Sequence, residues 1–410
     1  MTSTVSASAD STSTDTTSTS SLTADFDELF ARVADGVVRR ELDNVNPFDQ
    51  VKLVAESPLS KLRLPVERGG SGASVRELFA AVIGLAAADP TVAHIYRTHF
   101  WLTEEFLNLR TDNADRFLDL VAAGKVFANA TSERGTKAAG DYEFSTTLTP
   151  VDDHFVLNGE KFYSTGTLFA DYVSVWSVQG TTLTSLVVPT DRAGIEIVDD
   201  WDGFGQRRTG SGTTRLRDVE VHREDLLREV PFDEPLPQST QGAFVQLYLH
   251  AIIAGILRAV VADAKALVAG RSRNFSHASS PEPTRDPSLQ QVVGELASLA
   301  FVTESTVLIA AEALDAATAS AVDGIQNPAL AQQASLAASK AKVVLDEIGT
   351  RAATLLFEAG GASAAGRDKD LDRHWRNIRT ITLHNPARLK AQAVGANVLL
   401  DQDLPANGYF

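Results

Sequence analysis

The chain has 410 residues, 44% of them hydrophobic, with 37 Lys plus Arg against 53 Asp plus Glu and a formal net charge of −16. That length can build two or three packed units with substantial cores, and the negative charge repels nucleic-acid phosphates and anionic lipid surfaces, so neither nucleic acid nor membrane is an expected partner. There is no cysteine, Met1 is the only methionine, and the histidines show no metal-ligand spacing; disulfides and thiolate metal sites are excluded, and a structural metal is unsupported.

Residues 1–21 are nearly all Ser, Thr, Ala and Asp, with no basic start and no apolar run. They read as a disordered tail rather than a secretory signal. From 22 to 124 the pattern is helical: Phe26, Leu29, Phe30, Val33 and Val37 recur at three- and four-residue steps, and Leu78 to Ala88 is an apolar run of good helix formers. Asp89-Pro90 marks a break and a new helix start. From 125 to 235 β-branched and aromatic residues alternate, as in His154 to Leu157 and Tyr172 to Val178. Turn pairs Asn158-Gly159 and Ala193-Gly194 punctuate this segment, which predicts an antiparallel β domain.

From 236 to 394 the helical period returns in long Ala- and Leu-rich segments, Ala251 to Gly270, Leu289 to Val322 and Pro328 to Phe357. They are interrupted by the polar stretch Asn274 to Pro287, and together they predict a helical bundle. Residues 395–410 are left as a C-terminal tail. No run of 18 apolar residues occurs, so no membrane-spanning segment is expected, and the expected location is the cytoplasm. The fold class is α+β.

That order of units and four local strings resemble the acyl-CoA dehydrogenase superfamily. The strings are Asn129-Ala-Thr-Ser-Glu133, Asn158-Gly-Glu-Lys-Phe-Tyr-Ser-Thr-Gly166 with Ala170-Asp171, Gly205-Gln-Arg207 leading to Asp218-Val-Glu-Val221, and Arg373-His-Trp-Arg-Asn-Ile-Arg-Thr380. The resemblance implies an N-terminal helical domain, a middle antiparallel β-barrel-like domain and a C-terminal four-helix bundle, assembled as a homotetramer. Long helices such as Leu289 to Val322, apolar around much of their circumference, fit burial against partner subunits.

Dehydrogenases of that superfamily that carry their base in the last segment place an aromatic-Glu-Gly-Thr string after the arginine-rich one. Here the place reads Leu383-His384-Asn385-Pro386, and an amide cannot remove a proton. Glu295, Glu304 and Glu347 lie elsewhere on helices and read as surface or helix-stabilising carboxylates. The ending Trp375 to Pro386, with Asp199-Asp-Trp201 and the Asn129 string, instead resembles the branch of flavin monooxygenases that contains dibenzothiophene monooxygenase. Members of that branch take reduced flavin from a separate reductase and form a C4a-hydroperoxide with O2, and several act on organosulfur compounds.

The resemblance therefore implies a two-component monooxygenase using reduced FMN, with FAD as the alternative cofactor. The competing readings are an acyl-CoA dehydrogenase with bound FAD, an N-oxygenase on the same scaffold, and a flavin-free relative. A flavin hydroperoxide needs a dry pocket, neutral hydrogen-bond donors and no strong base. His384, Thr165 and Asn129 match that need.

His384 is the expected group that stabilises or protonates the peroxide, with a pKa near neutrality; a helix cap or satisfied core histidine is the alternative. Thr165 is expected on a β-strand with its hydroxyl toward flavin N5 and C4a, Ser164 exchanging roles if the register slips. Asn129, Thr131 and Ser132 would bind the isoalloxazine edge, under a lid or mobile turn from Glu133 to Asp141 hinged at Gly135 and Gly140. Trp201 would pack on the flavin ring or in the β core.

His94 and Thr98 share a helix face, which the resemblance turns toward the substrate, while His99 points elsewhere. Arg273, with Arg271 as runner-up, matches an arginine that holds flavin phosphate from a neighbouring subunit; a helix C-terminal arginine is the alternative. Asn274 to Pro287 would be a second lid, and Gly360-Gly361 and Arg367 further phosphate contacts.

The missing sulfur has three readings: drift, protection of the protein from its own oxidant, and economy in a protein made when sulfur is scarce. Protection requires the absence only near the peroxide, whereas here it extends over the whole chain. That favours a sulfur-starvation enzyme with sulfur as the target atom.

Overall fold

The computed structural model describes residues 26–109, 111–135, 143–234, 239–322, 324–405 and 407–410; the expected tail 1–21 and the hinge Gly140 lie outside the described residues. The chain begins with helices α1 (Asp27–Ala34), α2 (Val37–Asp43), α3 (Phe48–Ala55), α4 (Val75–Ala88), α5 (Pro90–Ile95), α6 (Arg97–Leu109) and α7 (Asp112–Ala122). Ser74 and Glu77 close a capping box at the start of α4. Asp89 ends α4 and caps α5, accepting from the Thr91 and Val92 amides while Pro90 fills the first helical position. The expected break at Asp89-Pro90 thus has a capping carboxylate at its centre.

Strands β1 (Phe127–Ala130), β2 (Thr147–Val151), β3 (His154–Lys161), β4 (Tyr172–Gln179), β5 (Thr182–Pro189), β6 (Ile195–Val198), β7 (Thr213–Val221) and β8 (Leu226–Pro231) follow. They form one sheet in the order β6-β7-β3-β2-β4-β5-β8, with β1 paired to β4. The sheet is mixed. β1 runs parallel to β4, and β2 meets β4 in parallel at Thr147 and Val178, whereas the remaining pairings are antiparallel. Side-chain alternation encodes which face is buried and not strand direction, so these two parallel contacts leave no mark in the pattern.

Asn158-Gly159 is not a hairpin turn. Both residues lie within β3, where the register with β7 shifts between Leu157 and Gly159. Asn158 donates to the Asp218 carboxylate at 3.1 Å and accepts from the Asp218 amide at 2.9 Å, so the pair clamps a bulge. The turn between β2 and β3 is made by Asp152 and Asp153, with Asp152 at φ 51°.

Helices α8 (Gln241–Ala269), α9 (Pro287–Ala319), α10 (Pro328–Gly360), α11 (Asp372–Thr382) and α12 (Ala387–Leu400) complete the chain. α8 lies against α9, α10 and also α4, and α12 packs along α10. Asp286-Pro287 and Asn327-Pro328 start α9 and α10 by the same device, a side-chain cap followed by proline. By length and composition α8 and α9 are each apolar enough to cross a bilayer, which the absence of an 18-residue apolar run did not indicate. Of their apolar windows, 78% is buried for α8 and 22% for α9. α8 is a core helix; α9 leaves an apolar face uncovered.

The last helix runs past residue 394, and the residues beyond it are folded back rather than loose. Leu404 is 3% exposed, and Gln332 on α10 holds it by donating to its carbonyl and accepting from its amide, each at 3.1 Å. Lys390 donates to the Tyr409 carbonyl and lies 3.6 Å over the Phe410 ring.

Candidate active site

The three units meet around a cavity of about 820 Å³, within the range that holds a cofactor or drug-sized ligand. α5 and α6 supply His94, Arg97 and Thr98 to its wall, β1 and the segment after it supply Asn129, Thr131 and Ser132, and the α11–α12 connection supplies His384. Thr165 and Trp201 line it as well. Residues far apart in sequence converge here because the sheet is inserted between two helical units that pack on each other through α4 and α8.

Thr165 lies in a turn beyond β3 rather than on a strand. Tyr163 adopts φ 54° and Gly166 φ 83°, which bends the chain out of extended conformation as it enters the cavity. Register is settled in the same place: Thr165 faces the cavity, while Ser164 is 1% exposed, lies off the cavity wall and has a hydroxyl without a partner among the described residues.

The Thr165 hydroxyl is 2.8 Å from Ser211 Oγ, which is 2.7 Å from Thr209 Oγ1, which donates at 2.9 Å to the Gln206 carbonyl. That carbonyl can only accept, so the direction propagates backward: Ser211 donates to Thr209, and Thr165 donates to Ser211. Thr165 therefore keeps oxygen lone pairs, not its proton, for a group in the cavity.

Gln206 is the hub beneath this wall. It is 1% exposed at φ 51°, and its carbonyl also accepts from Trp201 Nε1 at 3.0 Å. Its amide N–H donates to Asn377 on α11 at 2.6 Å, and its side-chain oxygen meets His94 Nδ1 at 3.0 Å. The residue before it is glycine because a Cβ there would sit 2.0 Å from the Arg376 carbonyl oxygen. The string Gly205-Gln206 thus lets a β-domain loop press on α11 and orient a histidine on α5. Trp201, half-buried and 5.9 Å from the Tyr163 ring, faces the cavity and belongs to neither apolar core.

The cavity is populated by neutral imidazoles. Burial and then the Arg97 guanidinium push the His94 ring down to about 3, Gln206 opposing. His384 borders the cavity with an exposed side chain; desolvation by the surrounding walls, then Arg97 and His94, shift its pKa below the ordinary value, a direction opposite to what a poised near-neutral imidazole needs. His384 opens onto the cavity rather than being a satisfied core histidine, and its Nε2 accepts from Arg97 at 3.3 Å. His99 is that core histidine: it donates to the Ser60 carbonyl at 2.7 Å among the rings of Tyr96, Phe100 and Phe127.

On the opposite wall Asn129 accepts from Thr98 at 2.6 Å and donates to Thr131 at 3.4 Å. Glu133, the start of the expected lid, is tied to Lys161 at 2.7 Å and to the Ser145 and Thr146 amides. Arg273 and Arg367 are exposed and lie outside this cavity. Arg367 borders a separate surface recess with Arg207 and Arg376, and Arg271 is bound to the Ala359 carbonyl at 2.7 Å.

Two family models match this chain, the acyl-CoA dehydrogenase middle domain over residues 128–219 and the acyl-CoA dehydrogenase C-terminal domain over residues 247–388. The chain belongs to the acyl-CoA dehydrogenase superfamily. It is 28% identical over 396 residues to a protein of Pseudomonas putida named probable FMNH2-dependent monooxygenase SfnC, covering 93% of this chain and 95% of that one. The FMN-bound structure of TdsC, a dibenzothiophene monooxygenase from Paenibacillus sp. A11-2, matches with a TM-score of 0.86 and 26% identity over 95% of this chain and all of that one. Methanesulfinate monooxygenase MsuC from Pseudomonas fluorescens matches with a TM-score of 0.84 and 25% identity, covering 96% of this chain and 99% of that one.

Within the superfamily the position of the departed base is informative. Asn385 is 7% exposed, lies off the cavity wall and donates to Gln246 on α8 at 2.7 Å. Glu295 and Glu304 pair with Arg351 and Arg258, and Glu347 is exposed; none of the three lines the cavity. Among the described residues, the acidic side chains that do, Glu133 and Glu105, are paired with Lys161 and Arg228.

Sequence reasoning missed Arg97, Ser211 and Tyr409 on the wall, and the role of Gln206. Arg97 follows His94 by three residues, a spacing that places the two on one helical face. Tyr409, whose ring is 6.2 Å from His384, had no such signal.

Proposed function

We propose that the chain is a reduced-FMN-dependent monooxygenase that transfers one oxygen atom from O2 to the sulfur of a small organosulfur compound. One observation carries this reading: the dehydrogenase base is replaced by a buried amide turned to α8, and the cavity offers two neutral histidines and an oriented hydroxyl chain instead. The names of the matching monooxygenases support the same cofactor and substrate class.

The residues present fit FMN. Thr165 offers an acceptor, which suits the N5–H of a reduced flavin, and Asn129, Thr131, Ser132 and Trp201 line the wall where its ring edge and face would lie. When bound, reduced FMN supplies the two electrons that activate O2. The protein's share is to hold that chemistry dry and un-ionised: His384 and His94 donate or accept hydrogen bonds without carrying charge, and Gln206 fixes the tautomer of His94 with the proton on Nδ1. The tail residues Tyr409 and Phe410 complete the wall on the His384 side.

We infer further that the reduced flavin comes from a separate reductase in the cytoplasm, and that the chain forms a homotetramer. Phe301 and Ile309 on α9 are 72% and 66% exposed, and Val398 and Leu399 on α12 are 69% and 81% exposed. Such apolar faces call for subunit packing. In that assembly Arg273 and Arg367, which lie off this cavity, would serve the flavin phosphate of a neighbouring copy. A composition with no cysteine and Met1 as its one methionine fits synthesis under sulfur starvation.

The test is to load the protein anaerobically with reduced FMN, admit isotopically labelled O2 and follow absorbance and product. A transient distinct from both reduced and oxidised FMN, with one labelled oxygen in the product, is the expected result. Bleaching of bound flavin by an acyl-CoA, or quantitative hydrogen peroxide with the organosulfur compound untouched, would sink the reading.

A further inference from the structure

Resting on that reading, we propose that Arg97 is the anion-binding residue of the cavity and that the substrate is an organosulfur oxyanion of the alkyl sulfinate type. Arg97 is 9% exposed, lines the cavity, and forms no ion pair among the described residues. Its Nε has no partner there, and its Nη1 rests at 3.3 Å on the neutral His384 imidazole, a weak substitute for a carboxylate. Burial lowers its pKa to about 10, with Tyr248 and Tyr409 opposing, so it is a cation at neutral pH.

The charges around it make this cation stand out. Glu105 and Glu133, the acidic side chains on the cavity wall among the described residues, are each matched by a basic partner, Arg228 and Lys161. Other buried arginines have acids of their own: Arg63 binds Glu104 through two nitrogens, and Arg40 meets Asp89 at 2.9 Å. Among the described residues, Arg97 is therefore the basic side chain on the cavity wall that no acid matches, and it lies beside His384. A buried charge without a counter-ion is strongly unfavourable, and an anionic ligand supplies the counter-ion each time it binds. The guanidinium fork matches two oxygens on one centre, the geometry of a sulfinate. A thiophene or a sulfone, uncharged, leaves Arg97 unmatched.

The reaction balances. The sulfinate sulfur forms the new S–O bond with its lone pair and is oxidised by two electrons to the sulfonate. Reduced FMN gives two electrons and two hydrogens, the O–O bond breaks, and the second oxygen leaves as water.

The test compares methanesulfinate with dimethyl sulfoxide, in which a methyl group replaces the anionic oxygen, by calorimetric titration of the protein loaded with oxidised FMN. We expect the sulfinate to bind roughly 10- to 100-fold more tightly, the worth of a charge-assisted hydrogen bond. Arg97→Gln should erase that ratio without moving the affinity for dimethyl sulfoxide or FMN, and Arg97→Lys should restore much of it. Equal binding of the two probes by the unmodified protein, or a ratio that survives Arg97→Gln, overturns the assignment; the first comparison needs no variant to fold. Survival of the ratio with a shortened oxygen-dependent absorbance transient would place Arg97 on the flavin side instead. Oxygenation of dibenzothiophene in preference to methanesulfinate sinks the anion proposal and leaves the monooxygenase standing. A sulfinate preference with no oxygen transfer to any organosulfur compound upholds the binding site and sinks the monooxygenase.

Discussion

Helix α6 carries buried charges that the fold treats in opposite ways, Glu104 and Arg97 among them. Glu104 faces Arg63 in a two-point pair at 2.5 and 2.9 Å, deep between α6 and the turn after α3. Arg97, at the start of the same helix, faces an uncharged ring. Compensation is therefore available to this protein within two turns of the site, and its absence at the cavity is a property of the site. Structural charge is closed within the chain, whereas functional charge is left open for what arrives later, at a cost in stability.

The sharpest separation of the two regions comes from activity. His384→Asn should lower oxygenation by roughly 10²- to 10⁴-fold, the usual scale for a lost acid–base or hydrogen-bonding group, while leaving thermal stability near that of the parent. His99→Asn should do the reverse, since His99 serves the core. Equal activity losses in both would erase the distinction between site and core.

Stability tests the charges directly. Glu104→Gln breaks a buried pair and should cost about 3–5 kcal/mol in urea unfolding. Arg97→Met removes an unmatched charge and should leave stability unchanged or raise it by about 0.5–2 kcal/mol. A large loss in the second variant would show that Arg97 is structural after all.

Acid brings in both regions at once. His94 and His99 are held down to about 3 and about 4, against 6.5 ordinarily, so below pH 6.5 the unfolded chain binds protons that the folded one refuses. Their contribution is complete above pH 6.5 and is lost as pH falls toward 4, at about 1.4 kcal/mol per pH unit for each ring. His99→Phe should remove one share of that slope, as read by unfolding free energies at a series of pH values.

The smallest effect concerns the hydroxyl chain. Ser211→Ala frees the Thr165 proton to turn into the cavity, which should weaken any preference for reduced over oxidised FMN by about 1 kcal/mol, several-fold in the ratio of dissociation constants. An unchanged ratio would show that the chain does not set the polarity of Thr165.

Much of the architecture was legible because helical and strand periodicities are local. The capped break at Asp89, the proline opening α10 and the change of texture after Lys125 correspond to observed element boundaries, whereas α9 begins at Pro287, which composition alone assigns to the preceding polar stretch. Asn385 was legible for a different reason: an amide has no basic pKa wherever it sits. The misplacements have causes too. Asn158-Gly159 has the composition of a turn, but Asp218, sixty residues on, recruits it into a bulge. Thr165 continues a strand-like string, and a positive φ at Tyr163 ends the strand first.

What the residues alone established, then, is the order of units, the family likeness and the loss of the dehydrogenase base, because each depends on neighbours in sequence or on the chemistry of one side chain. The charge state of His384, the polarity of Thr165 and the solitude of Arg97 depend on desolvation and on partners brought together from distant parts of the chain. Arg97 and His384 are separated by 287 residues, and Thr165 and Ser211 by 46. No local pattern records that an arginine lacks an acid; that follows only when the carboxylates among the described residues have been placed and found to be engaged elsewhere.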